Sequence, residues 1–331
     1  MTDAAIVLLL AFALDLLLGE PPNRVHPVAW MGSWLHWVER ASRRGTTPRA
    51  QLLMGGVGVL TGLLTILLLT SALVWGLDAL AAPARLGASA LLLKLTFSCR
   101  CLFGAAEEVR RALVTSDLAQ ARRLVGWHLV SRPTAELSGE EVAGATVESL
   151  AENFTDAVVA PIFYWLLGGI PLAMAYRFIN TADAMWGYRD LTYEYLGKVA
   201  ARLDDAVNIL PARFATALLL LGGGIAGGDL RNGLRVLLRD HRETASPNAG
   251  WTMSAMAGLL RGQLTKRGAY VLGDDAVPVN GLTIAKAQCC VAGATLLLLL
   301  VVLTGLSLDL PHLALRTSHA LGIRGLLVSR P

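Results

Sequence analysis

Long apolar blocks alternate with polar segments along this chain, and block length is what identifies a membrane span. The two clearest blocks run from Leu52 to Trp75 and from Cys289 to Leu306, and neither contains a charged residue. Each comes close to or exceeds the ~20 residues needed to cross a ~30 Å hydrocarbon layer. Four weaker blocks follow the same pattern: Ala4 to Leu18, Leu86 to Phe97, Ala157 to Tyr176 and Ile209 to Ala226. The pattern predicts an all-α, polytopic membrane protein with roughly four to six membrane-embedded helices.

The polar segments between these blocks are also helical in pattern. Residues Leu102 to Val125 are rich in Ala, Glu, Arg and Leu, which predicts one amphipathic helix. Ser138 followed by Glu141 is a capping-box pattern and predicts a helix start there. No stretch shows the sustained alternation of a strand. We therefore expect one membrane domain over residues 1–331 with a polar helical layer. It comprises a motif-bearing part at about 10–275, an apolar helix at 289–306 and a basic tail at 307–331.

Composition agrees with this class. Hydrophobic residues make up 54% of the 331 residues and charged residues 16%, against about 25% charged in an average soluble domain. Lys and Arg concentrate in Gly19 to Gln51, Cys99 to Asp156 and Gly228 to Ala287, which the positive-inside rule places in the cytoplasm. The basic residues are scattered and form no clustered face, so we expect no nucleic-acid partner.

An acidic stripe leads into the block at Ala157. Glu141, Glu148, Glu152 and Asp156 lie at offsets of 0, 7, 11 and 15, and at ~100° per residue they fall within roughly 80° of one helix face. Ionisable groups near a membrane interior are costly and usually functional. Mg²⁺ takes carboxylate oxygens together with substrate phosphates. The stripe therefore indicates either a metal site, carried by Glu152 and Asp156, or a solvated helix face.

A second polar segment runs from Tyr176 to Arg213. Paired acids can hold a metal, and arginines clamp phosphate oxygens in a bidentate fork. Both residue types occur here, with amides and a tyrosine: Arg177, Asn180, Asp183, Tyr188, Arg202, Asp204, Asp205, Asn208 and Arg213. The pattern favours a phosphate-handling site, and the alternative is a salt-bridged helical hairpin.

Two shorter polar segments leave both interpretations open. Ser246-Pro247-Asn248-Ala249-Gly250 predicts a turn, which could bind substrate through Ser246 and Asn248 or simply begin a helix. His26 stands alone after the first block, where a histidine is more often structural than catalytic. The chain contains no Walker A loop.

Five ordered motifs resemble the adenosylcobinamide-phosphate synthase family of cobalamin biosynthesis. They are D-x-L-L-G-E-P-P with H-P-V and M-G (Asp15 to Gly32), V-E-S-L-A-E-N-x-x-D with A-P-x-F (Val147 to Phe163), Y-R-x-I-N-T-x-D-x-M-x-G-Y (Tyr176 to Tyr188), A-A-R-L-D-D-x-x-N-x-x-P-A-R (Ala200 to Arg213) and S-P-N-A-G (Ser246 to Gly250). The resemblance spans about residues 10 to 275. It departs from the family pattern S-R-D-T at Pro133, which stands where the family has an acid.

The resemblance implies a multi-pass ligase of the bacterial cytoplasmic membrane. Such enzymes join adenosylcobyric acid to (R)-1-amino-2-propanol, or to its O-phosphate, through an amide bond with ATP and Mg²⁺. The acid–base candidates are Glu148, Glu152, Asp183 and Asp205. The metal candidates are Glu152, Asp156, Asp204 and Asp205. The substrate or phosphate candidates are His26, Arg177, Asn180, Tyr188, Arg202, Asn208, Arg213, Ser246 and Asn248.

Topology and competing functions also give expectations. Pro161, Gly168, Gly169 and Pro171 predict a broken or re-entrant helix, which is tolerated where backbone lines a cavity. We expect all the motifs to share one cytoplasm-facing cavity. The sequence does not determine the oligomeric state. An intramembrane Mg²⁺-dependent prenyltransferase is the main alternative, because N-x-x-D and D-D-x-x-N loosely resemble diphosphate-binding motifs. The second alternative is a transporter or a scaffold, in which the charges line a pathway through the membrane.

Overall fold

A computed structural model describes residues 2–42, 47–130, 133–188 and 192–308. The predicted basic tail from 309 onward, Ser131, Arg132 and Arg189 lie outside the described residues. The first eight helical elements are α1 (Asp3–Leu18), α2 (Pro27–Ser42), α3 (Pro48–Leu77), α4 (Ala82–Lys94), α5 (Cys99–Val114), α6 (Leu118–His128), α7 (Gly139–Phe154) and a π-helical turn (Thr155–Val159). The rest are α8 (Ala160–Trp186), α9 (Lys198–Val207), α10 (Ile209–Ile225), α11 (Leu230–Asp240), α12 (Ala249–Leu260), β1 (Leu264–Lys266), β2 (Tyr270–Leu272) and α13 (Gly281–Ser307).

The predicted all-α membrane class is confirmed, with about 76% of the described residues helical. Among the described residues, four helical stretches are long and apolar enough to cross a membrane: Pro48–Leu77, Ala82–Val114, Gly139–Trp186 and Gly281–Ser307. The bent pair α9 and α10, with 49° between its helices, can count as a fifth. Both strongest sequence blocks fall inside these stretches. The chain is therefore a multi-pass membrane protein.

The chain divides into two compact units, each built from discontinuous segments. One unit comprises residues 1–97, 161–204 and 302–331, and the other comprises residues 98–160 and 205–301. We call them the first unit and the second unit. Chain order and spatial grouping therefore differ, because the middle of the chain contributes to both units.

In the first unit, α3 buries a face of small residues. Gly55, Gly58, Val59 and Gly62 are its buried residues, while leucines such as Leu60 and Leu68 are more than half exposed. Those leucines would be unfavourable in water but suit a lipid-facing surface. The glycines let α2 and the segments around Phe178 and Leu196 approach the α3 backbone closely. Small residues at such an interface are how membrane helices pack where no hydrophobic effect drives them together.

Adding a methyl group at Gly55 is expected to destabilise the protein. A Cβ there would overlap the carbonyl oxygen of Leu196, which is backbone and cannot rotate away. We expect Gly55→Ala to lower the free energy of unfolding by about 1–3 kcal/mol, measured as a fall in melting temperature in detergent. Gly76→Ala in the same helix is the control, because a Cβ at Gly76 meets nothing within 4 Å. A Gly55→Ala protein as stable as Gly76→Ala would contradict this packing.

In the second unit, α12 is almost entirely buried and packs against α7, α10 and α11. A short antiparallel hairpin, β1 with β2, lies against α7. Its strands are three residues long, too short to show a sustained alternating pattern, so the sequence pattern did not predict the hairpin. The Asp240 carboxylate of α11 accepts a hydrogen bond of 2.8 Å from the Gly273 amide just after β2. Burial raises the pKa of Asp240, but hydrogen bonds from Arg239 and Gly273 lower it by more.

The predicted single helix from Leu102 to Val125 is wrong. It is broken between α5 and α6, where Ser116 has a left-handed backbone with φ 59°. The Asp117 side chain then caps α6 by accepting a hydrogen bond of 2.9 Å from the Gln120 amide. An Asp at such a position favours a helix start as strongly as Ser138 does. The amphipathic pattern continued across the break and concealed it.

Two local predictions are confirmed. Ser138 and Glu141 form the expected capping box at the start of α7. Within α8, Gly168 and Gly169 leave helical geometry, and Gly169 has a φ of 67°. That conformation favours glycine because it has no Cβ, so the glycine pair breaks the helix at the predicted place.

Candidate functional site

Asn248 is the centre of a polar cluster in the second unit. Its side-chain amide is buried, and its Nδ2 donates a hydrogen bond of 2.7 Å to the backbone oxygen of Asp205 at the end of α9. Its Oδ1 accepts a hydrogen bond from Arg213 on α10. One short side chain therefore ties together the predicted D-D-x-x-N-x-x-P-A-R and S-P-N-A-G motifs. We call Asp205, Arg213, Ser246 and Asn248 the Asn248 cluster.

Arg213 is held in a fixed plane within this cluster. Its Nη2 donates a hydrogen bond of 3.3 Å to the carbonyl oxygen of Pro247. Its guanidinium carbon lies 4.6 Å from the ring centroid of Trp251, a cation–π contact. A guanidinium presents five N–H donors in a rigid fork, so fixing its plane also fixes the direction in which it can bind an anion. A guanidinium fixed in this way is suited to binding an oxyanion or a phosphate.

The loop at Ser246 begins a helix, which is one of the two interpretations that the sequence left open, and substrate binding stays a prediction. Ser246 Oγ accepts hydrogen bonds from two backbone N–H groups, 3.3 Å from that of Asn248 and 3.5 Å from that of Ala249. These bonds help to start α12. The same oxygen lies 3.4 Å from Asp205 Oδ1 and donates to it. A Cβ on Gly250 would overlap the carbonyl oxygen of His241, so this turn requires glycine. The loop is a helix-initiating turn that also positions a carboxylate.

The acidic stripe divides into parts with different surroundings. Glu141 belongs to the capping box and forms a two-point ion pair with Arg267, which is a structural role. Glu148 is buried within α7, whereas Glu152 is exposed. Asp156 lies in the π-helical turn Thr155–Val159. Such turns occur often at functional sites. Because a π-helical turn has a different number of residues per turn, Asp156 lies on a different face than it would in a regular α-helix.

The first unit holds further candidates in looser groupings, whereas Asn208 is buried in the second unit. Arg177 Nη1 donates a hydrogen bond of 3.3 Å to Asn180 Oδ1, as their spacing on one helix face predicts. Asp183, one turn further on, is half-buried, and its backbone oxygen accepts from the Gly187 amide at 2.6 Å. Arg202 is exposed on α9 and Asp204 is half-buried. Tyr188 is 39% exposed, with its ring 6.1 Å from that of Tyr193.

His26 has contacts that fit a structural role. Its Nδ1 accepts a hydrogen bond of 3.1 Å from the Val28 amide at the start of α2. The proton is therefore on Nε2, which lies 2.7 Å from Glu20 Oε2 and donates to it. Both ring nitrogens are thus engaged within the loop between α1 and α2. A substrate contact by His26 would have to replace one of these bonds.

Lys94 is a charged residue that the sequence reasoning missed. It lies at the end of α4, only 3% exposed, with Nζ 3.1 Å from Glu20 Oε1 and 3.8 Å from Asp15 Oδ1. Asp15 is fully buried in α1. Buried charges must be paired, so Lys94 links α4 to α1 and to the loop that carries His26. The one available signal was a single cation at the end of the apolar block Leu86 to Phe97.

The predicted metal ligands are not grouped so that protein side chains alone would hold a metal ion. Across the part of the chain that the structure describes, no group of three or more His, Cys, Asp or Glu side chains could hold a metal ion. Glu152, Asp156, Asp204 and Asp205 therefore do not form such a group. Mg²⁺ is commonly held by one or two carboxylates plus substrate phosphates. The magnesium site thus stays a prediction.

Comparison with known protein families identifies the chain. A family model described as CobD/Cbib protein matches residues 8–292. The chain belongs to the CobD/CbiB family. This match covers all five motifs and the whole Asn248 cluster, and it confirms the family that the motifs resemble. No solved structure matches this CobD/CbiB chain.

Curated relatives of the CobD/CbiB chain have similar lengths. A probable cobalamin biosynthesis protein CobD from Methanothermobacter thermautotrophicus is 41% identical over 88% of this chain and 98% of its own. The cobalamin biosynthesis protein CobD from Dehalococcoides mccartyi is 39% identical over 86% of this chain and 91% of its own. The cobalamin biosynthesis protein CbiB from Salmonella typhimurium is 37% identical over 77% of this chain and 80% of its own. These relationships support a role in cobalamin biosynthesis.

Proposed function

We propose that this chain is an adenosylcobinamide-phosphate synthase. It joins the free propionate carboxyl of adenosylcobyric acid to (R)-1-amino-2-propanol or its O-phosphate, with hydrolysis of ATP, at the cytoplasmic face of the membrane. The observation that carries the proposal is the family match across residues 8–292, which includes every motif. The family assignment gives no support to the prenyltransferase and transporter alternatives.

The Asn248 cluster supplies the phosphate-handling part of the reaction. A carboxylate is a poor acyl donor, so its oxygen first attacks the γ-phosphorus of ATP, and ADP leaves. In the transition state of this transfer, which gives the acyl phosphate, negative charge is spread over the oxygens of the transferred phosphoryl group. Arg213, fixed by Asn248, Pro247 and Trp251, neutralises this charge without reorganising during the reaction.

The second step needs a base and a leaving group. The amine nitrogen attacks the acyl carbon, the carbon–oxygen bond to phosphate breaks, and inorganic phosphate departs. The attacking amine loses one proton to a carboxylate. Candidates for that carboxylate are Glu148, Glu152, Asp183 and Asp205. Asp205 is favoured because Ser246 holds it beside the phosphate clamp.

Magnesium would act on the nucleotide. When bound, it neutralises phosphate charge and orients the γ-phosphate. The residues that would hold it are among Glu152, Asp156, Asp204 and Asp205, and a carboxylate bound to the metal would not also serve as the base.

Turnover by the purified protein tests this proposal. The protein in detergent is given adenosylcobyric acid, Mg²⁺, ATP and either aminopropanol or its O-phosphate, and the amide is detected by mass. We expect product that requires ATP, with the preferred amine revealed by the two parallel reactions. Folded protein that forms no amide with either amine would overturn the proposal.

A further inference from the structure

His241 is a titratable residue beside the Asn248 cluster that the proposed reaction does not use. Its imidazole ring packs against the ring of Trp251, with 4.6 Å between the ring centroids. The Arg213 guanidinium carbon also lies 4.6 Å from the Trp251 ring centroid. Because both distances end at the same ring, the imidazole and the guanidinium are within about 9 Å of each other. His241 therefore belongs to the surroundings of Arg213.

Two contacts fix the orientation of the His241 ring. His241 is the C-terminal cap of α11, and its Nδ1 lies 2.9 Å from the carbonyl oxygen of Leu237. A carbonyl oxygen only accepts, so Nδ1 carries a proton and donates it. The second contact is with Trp251, at 55° between the ring planes. The backbone is held as well, since the His241 carbonyl oxygen packs so closely on Gly250 that a Cβ there would overlap it.

The Nδ1 proton determines what Nε2 can do. In a neutral imidazole that carries its proton on Nδ1, the lone pair is on Nε2, which can accept a proton. None of the hydrogen bonds of the described residues uses this Nε2, and His241 is half-buried rather than enclosed. A base that one contact orients and that stays open at its accepting atom is typical of general base catalysis.

The proposed reaction needs a further proton acceptor. An alkyl amine with a pKa near the lysine value of about 10.4 is an ammonium ion at neutral pH. An ammonium nitrogen has no lone pair, so it cannot attack the acyl carbon until one proton has left. The carboxylate of the second step takes a later proton, from the attacking amine. Two protons therefore leave this nitrogen, and the first one has no acceptor among the carboxylate candidates.

We propose that Nε2 of His241 accepts the first proton of the substrate ammonium, an assignment that rests on the proposed amide-forming function. The N–H bond of the ammonium breaks, its electron pair stays on nitrogen as the attacking lone pair, and the proton binds Nε2. The imidazolium that forms lies at the C-terminal end of α11, where the helix carbonyl groups carry partial negative charge. It becomes neutral again by releasing the proton to solvent.

Charged residues surround His241 from several elements. In the described part of the chain they are Asp205 on α9, Arg213 on α10, Arg239 and Asp240 on α11, Arg242 and Glu243 in the following loop, and Asp274 after β2. Arg239 pairs with both Asp240 and Asp274. A substitution at position 241 leaves all these charges in place. A difference in pH dependence between such a variant and the unaltered protein therefore reports on His241 itself.

A substitution that keeps the structural hydrogen bond tests this role. The side-chain amide of asparagine can donate to the Leu237 oxygen as Nδ1 does, but it cannot accept a proton. We expect His241→Asn to lower amide formation about 100-fold at pH 7, with little change of the melting temperature in detergent. The deficit should shrink at pH 9, because the free-amine fraction of the substrate rises about tenfold per pH unit below its pKa.

The matched control is His128→Gln. His128 is the histidine at the end of α6 in the second unit, where its Nε2 lies 3.4 Å from Glu108 Oε2. Such partly exposed pairs contribute little, so this variant should keep its activity within about twofold at both pH values.

Two results would overturn the role of His241. The first is full activity of His241→Asn at pH 7, and the second is a deficit of equal size at pH 7 and pH 9, which indicates a structural role. If His241→Asn does not fold, His241→Gln is measured in the same way and judged by the same two results. Unaltered protein that forms no amide at either pH would instead remove the proposed function on which this role depends.

Discussion

Replacing Arg213 by glutamine lowers amide formation about 100- to 1,000-fold, the loss expected when one fixed donor to developing charge is removed. Glutamine cannot neutralise phosphate charge, and it lacks the planar fork that Asn248 and Pro247 hold in place. Turnover at saturating substrate measures the effect. The melting temperature is recorded beside it, because Arg213 also packs on Trp251.

Two matched variants make the Arg213 result specific. Arg213→Lys keeps the charge but loses the fork, and we expect an activity between those of the glutamine variant and the unaltered protein. Arg267→Gln removes another arginine of the second unit, which pairs with Glu141 at the surface, and turnover should stay within about twofold because surface pairs contribute little. Full activity in Arg213→Gln would remove this residue from the phosphate clamp.

Replacing Lys94 by methionine destabilises the protein by about 3–5 kcal/mol, the range for breaking a buried ion pair from one side. Methionine matches the length of the stem but leaves the fully buried Asp15 without the Lys94 ammonium 3.8 Å away. At roughly 2–4 °C per kcal/mol, the melting temperature should fall by about 6–20 °C. Thermal unfolding in detergent measures it.

Controls for Lys94 come from the same unit. Lys198→Met removes a lysine whose pair with Glu194 is about half exposed, and its melting temperature should barely change. Adding Asp15→Asn to Lys94→Met removes the buried carboxylate as well and should recover part of the loss, because replacing both partners is far less harmful than removing one. A Lys94→Met protein as stable as Lys198→Met would show that the cluster contributes nothing.

Local patterns predicted the helices well because a span is specified by its own residues. An uninterrupted apolar run such as Leu52 to Trp75 must satisfy its backbone internally in lipid, and only a helix does so. The start of α7 at Ser138 and the break at Gly168 and Gly169 were readable for the same reason, since each depends on one or two side chains. The break at Ser116 was missed because the amphipathic pattern outweighed a single capping residue.

The candidate site was only partly readable. Residue types and spacing selected Asp205, Arg213, Ser246 and Asn248, and the structure joins them. Trp251 was not selected, although it directly follows the S-P-N-A-G motif, because an aromatic residue in an apolar helix gives no sign of a cation above its ring. His26 was selected for its motif, but its contacts within the loop are those of a helix cap.

The sequence by itself determined that this is a helical membrane protein of the CobD/CbiB family, because span length and ordered motifs are properties of short stretches. The tertiary structure decided which distant residues meet. The Asn248 side chain donates a hydrogen bond to the backbone oxygen of Asp205, 43 positions earlier. Lys94 at the end of α4 pairs with Asp15 of α1. Such contacts depend on how helix faces pack and where the chain turns. In each case the two partners belong to different stretches of the chain, so the apolar and polar pattern around either residue does not specify the contact.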